Sequence, residues 1–88
     1  MITAEQAQEI ADKIVDLGVG DATVSALRQQ YQKIHFTYCM DDDLPNNSPV
    51  IEHKDFNLYL IDGREHCLCL TNDYESATGI VVAEIIAD

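Results

Sequence analysis

The chain is short of positive charge. Its 88 residues hold five lysines and arginines against sixteen aspartates and glutamates, a formal net charge of −11. Phosphate backbones are bound through a basic footprint, which five scattered cations do not supply, so nucleic-acid binding is excluded. An anionic membrane surface is disfavoured on the same ground. No run approaches the roughly 18 apolar residues of a membrane span. The start, Met-Ile-Thr-Ala-Glu, lacks the basic region and apolar stretch of a secretory leader. Four glycines are too few and too dispersed for a phosphate-cradling loop; Gly63 and Gly79 form none. Three cysteines cannot close into a full disulfide set, and reduced thiols in a cytosol are the expected state.

What is present is enough for one core. The hydrophobic fraction is 47%, well above that of a disordered acidic tail. Scaling from mass, folding removes roughly 64% of the surface that the extended chain exposes. A single domain over residues 1–88, cytoplasmic and without a cofactor, is expected.

The first helix is expected over about 3–17. Thr3 and Gln6 have the spacing of a capping box. Ala7, Ile10, Ala11, Ile14 and Leu17 make one apolar face. Glu5, Glu9, Asp12 and Asp16 lie opposite, with Glu9 one turn before Lys13, and Gly18 suits the stop. A second helix over about 21–32 is capped by Gly20 or Asp21 and carries Val24, Leu27 and Tyr31 on one side.

The period then changes from helical to alternating. In Lys33–Met40, Ile34, Phe36 and Tyr38 point one way and His35, Thr37 and Cys39 the other. Asp41–Pro49 reads as a loop, Val50–Glu52 as a short extended piece, Phe56–Ile61 and His66–Thr71 as a hairpin around Asp62-Gly63, and Ile80–Ile86 as a last strand. Asn72–Gly79 reads as a loop with a helical turn near Tyr74–Ala77. The fold class is α+β: two N-terminal helices on one face of a mainly antiparallel sheet of three to four strands.

Two hairpin registers compete. A two-residue turn pairs Leu58 with Cys67 and Phe56 with Cys69, which puts both thiols in the core. A three-residue loop pairs Leu58 with His66 and Phe56 with Leu68, which leaves the thiols beside Asn57 and Tyr59 on the other face. The apolar pattern favours the second, since Leu68 and Leu70 are the larger hydrophobes.

Cys39, Cys67, Cys69 and His66 are the candidate metal ligands. Cys67 and Cys69 point the same way about 6.6 Å apart along a strand, whereas His35 and Cys39 would be about 13 Å apart. Two thiolates do not complete a zinc site, so Cys39 would have to lie beside them. Buried, apolar-like cysteines are the commoner outcome. Asp41, Asp42 and Asp43 are the candidate partner contacts. Counted from Asp41, the loop matches an EF-hand at positions 1, 3 and 12 (Asp41, Asp43, Glu52). It fails with Pro45 at position 5 and Asn46 at the position needing glycine, which leaves at most a looser cation site. A catalytic Cys–His pair such as Cys39 with His66 has no supporting pattern, and no enzyme activity is expected.

The acidity is uneven. Residues 1–33 carry five acids and three bases, 34–62 six and one, and 63–88 five and one. The charge therefore belongs mostly to the strand half. Solubility accounts for it in the plainest reading; otherwise it recognises a basic protein surface.

The segments His35-Phe36-Thr37-Tyr38-Cys39-Met40-Asp41-Asp42-Asp43, Phe56-Asn57-Leu58-Tyr59-Leu60-Ile61-Asp62-Gly63 and His66-Cys67-Leu68-Cys69-Leu70-Thr71 resemble a family of small uncharacterised bacterial proteins along most of the chain. The resemblance implies a bacterial, cytoplasmic, stand-alone domain and assigns no site residue. It also implies an association with nitrogen-fixation genes, and with it an accessory role around nitrogenase or its metal cofactors. The reading is an accessory or protein-interaction module, monomeric or homodimeric, that binds a basic partner. The alternative is a small-ligand or metal-binding protein using the Asp41–Asp43 loop or the Cys/His set.

Overall fold

A computed structural model describes residues 2–44, 48–63 and 69–86. The helix α1 spans Ala4–Leu17 and is opened by the expected box: the Thr3 hydroxyl accepts from the Gln6 amide at 3.0 Å, and the Gln6 side chain accepts from the Thr3 amide at 3.4 Å. Those two bonds satisfy donors that a helix start otherwise leaves bare. Gly18 ends the helix at φ +92°, a backbone state that glycine adopts without steric cost. Ala7, Ile10, Ala11 and Ile14 are buried as the spacing requires, while Leu17 is 61% exposed and not part of the apolar face.

The helix α2 spans Asp21–Gln30, two residues shorter at its end than the periodicity predicts, because Tyr31 serves as C-cap. Tyr31 instead ties the helices together. Its hydroxyl donates to Glu9 at 2.6 Å, and Lys13, already paired with Glu9 at 3.6 Å, sits 4.9 Å over its ring.

Five strands follow: β1 (His35–Met40), β2 (Ile51–Glu52), β3 (Phe56–Asp62), β4 (Cys69–Thr71) and β5 (Gly79–Glu84). The sheet is mixed. β5 lies between β1, parallel to it, and β3, antiparallel to it. A strand between two others is buried on both faces, and Gly79–Ala83 is accordingly a continuous apolar run, all of it buried. The parallel β1–β5 pair and the fifth strand are the departures from the expected sheet. β1 and β5 meet across 44 positions of sequence (His35 with Gly79), a separation that no local pattern announces.

The far edge of β3 is divided. β2 takes Asn57 and Leu58 through a tight hairpin in which His53 N–H donates to the Phe56 carbonyl at 2.9 Å. β4 takes the rest: Leu60 faces Thr71, Ile61 faces Leu70 and Asp62 faces Cys69. Both expected hairpin registers are therefore overturned. Each required β4 to reach Leu58 and Phe56, and β2 already occupies Leu58. Asp62-Gly63 is not a two-residue turn either, since residues 63–68 separate the paired Asp62 and Cys69.

The two sheet faces have different coverings. Phe36, Phe56, Leu58, Leu60, Ile80 and Val82 pack against α1 and α2. Tyr59, Ile61, Val81 and Ala83 form a second cluster on the opposite face, joined by Cys39, Leu44 and Leu70. Among the described residues no helix is long and apolar enough to cross a membrane.

Candidate functional site

The Asp41–Asp43 segment leaves β1 as a single turn of 3₁₀ helix, closed by the Leu44 amide donating to the Asp41 carbonyl at 3.2 Å. Leu44, the next residue, packs onto the second face and turns the chain over it. Asp41 is half-buried and held from β3. Its Oδ1 accepts from Tyr59 OH at 2.9 Å and from Asn57 Nδ2 at 3.1 Å. Asn57 and Tyr59 are two apart on one strand, so both reach the same face, and both can meet one carboxylate oxygen. Burial, and then the bond to Asp41, raise the Tyr59 hydroxyl above its ordinary range, so it stays a donor. Asp42 and Asp43 are exposed. The turn thus has one carboxylate fixed to the sheet and two presented to solvent.

Cys39 lies next to this turn, half-buried in the second cluster. Burial pushes its thiol up, and the Asp43 and Asp41 carboxylates push it further. This is the reverse of the electropositive setting that activates a nucleophilic cysteine. Tyr38, on the helix-side face, donates to Glu84 of β5; that bond, with burial, pushes the hydroxyl up to about 12.

The sheet does not bring Cys39 and Cys69 together. Cys39 aligns through Ala83 with Asn57, and Cys69 aligns with Asp62. They are roughly 14 Å apart across the strands and roughly 17 Å along them. Their faces also differ: Cys39 sits with Tyr59 and Ile61, while Cys69 shares the parity of Asp62 and is exposed. His66 and Cys67 lie outside the described residues. Among the described residues no three His, Cys, Asp or Glu side chains are grouped to hold a metal ion.

Sequence reasoning did not find Asn57 and Tyr59 as supports of the acidic turn. The available signal was the polar residues two apart on the face that also carries Cys39. It did not find Arg28 either. The Arg28 guanidinium, at the end of α2, donates from Nε at 3.3 Å and from a terminal nitrogen at 3.0 Å to the Phe36 carbonyl of β1. Beside it a cleft of about 530 Å³ is bordered by Gln32, His35, Thr37, Ile61, Gly63 and Thr78. The Gly63 amide donates to the Thr78 hydroxyl at 3.0 Å at one margin of this cleft.

No curated protein and no solved structure matches the chain. Its residues 10–85, from the middle of α1 to just past β5, do match one family, and the chain is therefore a member of DUF6129, a family of unknown function.

Proposed function

We propose that this protein is a small cytosolic accessory or protein-interaction module that binds a basic partner surface, with the Asp41–Asp43 turn at the contact. The observation that carries the reading is the anchored turn. Tyr59 and Asn57 fix Asp41, so Asp42 and Asp43 are held outward on a positioned backbone. Preorganisation lowers the ordering cost of binding. The surrounding charge favours the same partner. Five lysines and arginines cannot neutralise sixteen carboxylates whatever pairs they form, so the acidic charge is left in large excess.

The alternative, a small-ligand or metal-binding protein, has less support in its thiolate form, because Cys39 and Cys69 face away from each other across the sheet. Its Asp41–Asp43 form would have to use a turn in which Asp41 already accepts two hydrogen bonds.

Titration with a deca-lysine peptide tests the proposal. Affinity should fall steeply between low and high salt, because exposed charges are screened beyond about 10 Å at 0.1 M. Asp42→Asn with Asp43→Asn should cost more than the equal charge change Glu5→Gln with Asp16→Asn on α1. Salt-independent binding, or equal losses from the two pairs, overturns the assignment of the contact to this turn.

A further inference from the structure

Among the described residues β1 is an edge of the sheet, paired with β5 alone. Its backbone groups alternate in direction. The His35 amide donates to the Thr78 carbonyl at 3.1 Å, so the groups of His35, Thr37 and Cys39 face β5 and those of Phe36, Tyr38 and Met40 face outward. Arg28 shows the outward direction independently, since it reaches the Phe36 carbonyl from outside the sheet. Its two donors fill that one carbonyl, so a pairing strand must take the Phe36 carbonyl from Arg28. The outward amides of Phe36, Tyr38 and Met40 and the carbonyl of Tyr38 have no partner among the described residues. An edge left in this state is a template for another strand.

Charge along the edge identifies the strand. Two of the five cations in the chain, Arg28 and Lys33, lie at the beginning of β1, and three consecutive aspartates lie at its end. Asp21, at the first turn of α2, lies close enough to Tyr38 to act on its hydroxyl. An antiparallel copy of the same edge is complementary at both ends. It sets Lys33 against the Asp41–Asp43 turn, and Arg28 beside the Asp21 that accompanies the facing Tyr38.

The register follows from which groups are already satisfied. With the two-fold axis at Thr37, the Phe36 amide donates to the facing Tyr38 carbonyl, the facing Tyr38 amide takes the Phe36 carbonyl as Arg28 turns to the facing Asp21, and the Met40 amide meets the facing Ile34 carbonyl. The Ile34 amide needs nothing, because it donates to the Tyr31 carbonyl at 3.0 Å. The Met40 carbonyl opposite it begins the 3₁₀ turn as its N-cap.

We propose that the protein pairs with a second copy of itself through this edge, β1 against β1, antiparallel and centred on Thr37, to form one continuous sheet. The proposal does not depend on the basic-partner reading, and its test contains no partner.

Amide hydrogen exchange on the unmodified chain reads it directly. Between about 10 µM and about 1 mM protein, the amides of Phe36, Tyr38 and Met40 should slow by about tenfold or more, while those of His35, Thr37 and Cys39 stay protected throughout. Centring is read by Thr37→Cys in a chain also carrying Cys39→Ala, Cys67→Ala and Cys69→Ala. Facing residues of this kind have Cα atoms about 4.5 Å apart, within the roughly 4.4–6.8 Å that a disulfide spans, so diamide should cross-link it. Thr37 is exposed in the monomer, so this substitution leaves the core intact. A monomer at 1 mM by sedimentation overturns the proposal. A dimer without the alternating protection, or one in which Thr37→Cys fails to cross-link, overturns it equally.

Discussion

The bond from Tyr59 to Asp41 can be isolated with one atom. Tyr59→Phe removes a hydroxyl from a residue that is 6% exposed and leaves its ring in the second cluster. The lost bond has an ionised acceptor at 2.9 Å, a class worth about 1.5–3 kcal/mol. Asp41 is half-buried and keeps Asn57 at 3.1 Å, so the lower part of that range applies, about 1.5–2 kcal/mol. At about 4–8 °C per kcal/mol for a domain of this size, the melting temperature should fall by about 6–16 °C. Urea unfolding of Tyr59→Phe, Asp41→Ala and the double variant closes a cycle, and the coupling should be about 1 kcal/mol or more. The same variant tests function. Its net charge is unchanged, yet it releases the turn, so deca-lysine binding should weaken. A stability change under about 0.3 kcal/mol, or two single effects that simply add, would refute the anchoring argument.

Three further outcomes follow from other parts of the molecule. Gly79→Ala should destabilise by about 1–3 kcal/mol in chemical denaturation, because its Cβ would stand 2.7 Å from the His35 carbonyl oxygen and force β1 from β5; an unchanged midpoint would contradict that contact. Thr3→Ala removes the capping hydroxyl of α1 and should cost about 1 kcal/mol, measured by thermal melting. In a chain with Cys67→Ala and Cys69→Ala, alkylation of Cys39 should begin only above the ordinary thiol range near pH 8.5. Burial and the two neighbouring carboxylates hold the proton on, and Asp43→Asn should lower the onset. Rapid reaction at neutral pH would contradict the placement.

What was readable in the sequence was local. Thr3 and Gln6 specify their box within one turn of helix, and Glu9 meets Lys13 one turn later, so spacing alone is sufficient. The alternation survives with Ile34, Phe36 and Tyr38 in the helix-side cluster and Cys39 in the opposite one, while Thr37 is exposed. Failure came where strands compete for an edge. Leu58 has one free side once β5 is in place, and β2 claims it, a result decided by partners 7 and 24 positions away (Ile51 and Val82). Leucine against cysteine within one hairpin leaves out the third contender, Ile51 of β2. The acidic turn was legible as composition. Its anchor was not, because Tyr59 and Asn57 reach it across 18 and 16 positions.

The central position of β5 has a consequence for how the chain reaches this state. β1 and β3 are not neighbours; each is held in the sheet by a strand that is translated after both. Until Gly79–Glu84 is available, the two halves of the sheet have no backbone connection, and the apolar surfaces of Phe36, Leu58 and Leu60 have no common floor. Closing contacts over such long intervals is slow. Folding is then a late, concerted event, and a chain interrupted before residue 79 is not a smaller version of the domain but two unjoined pieces of it.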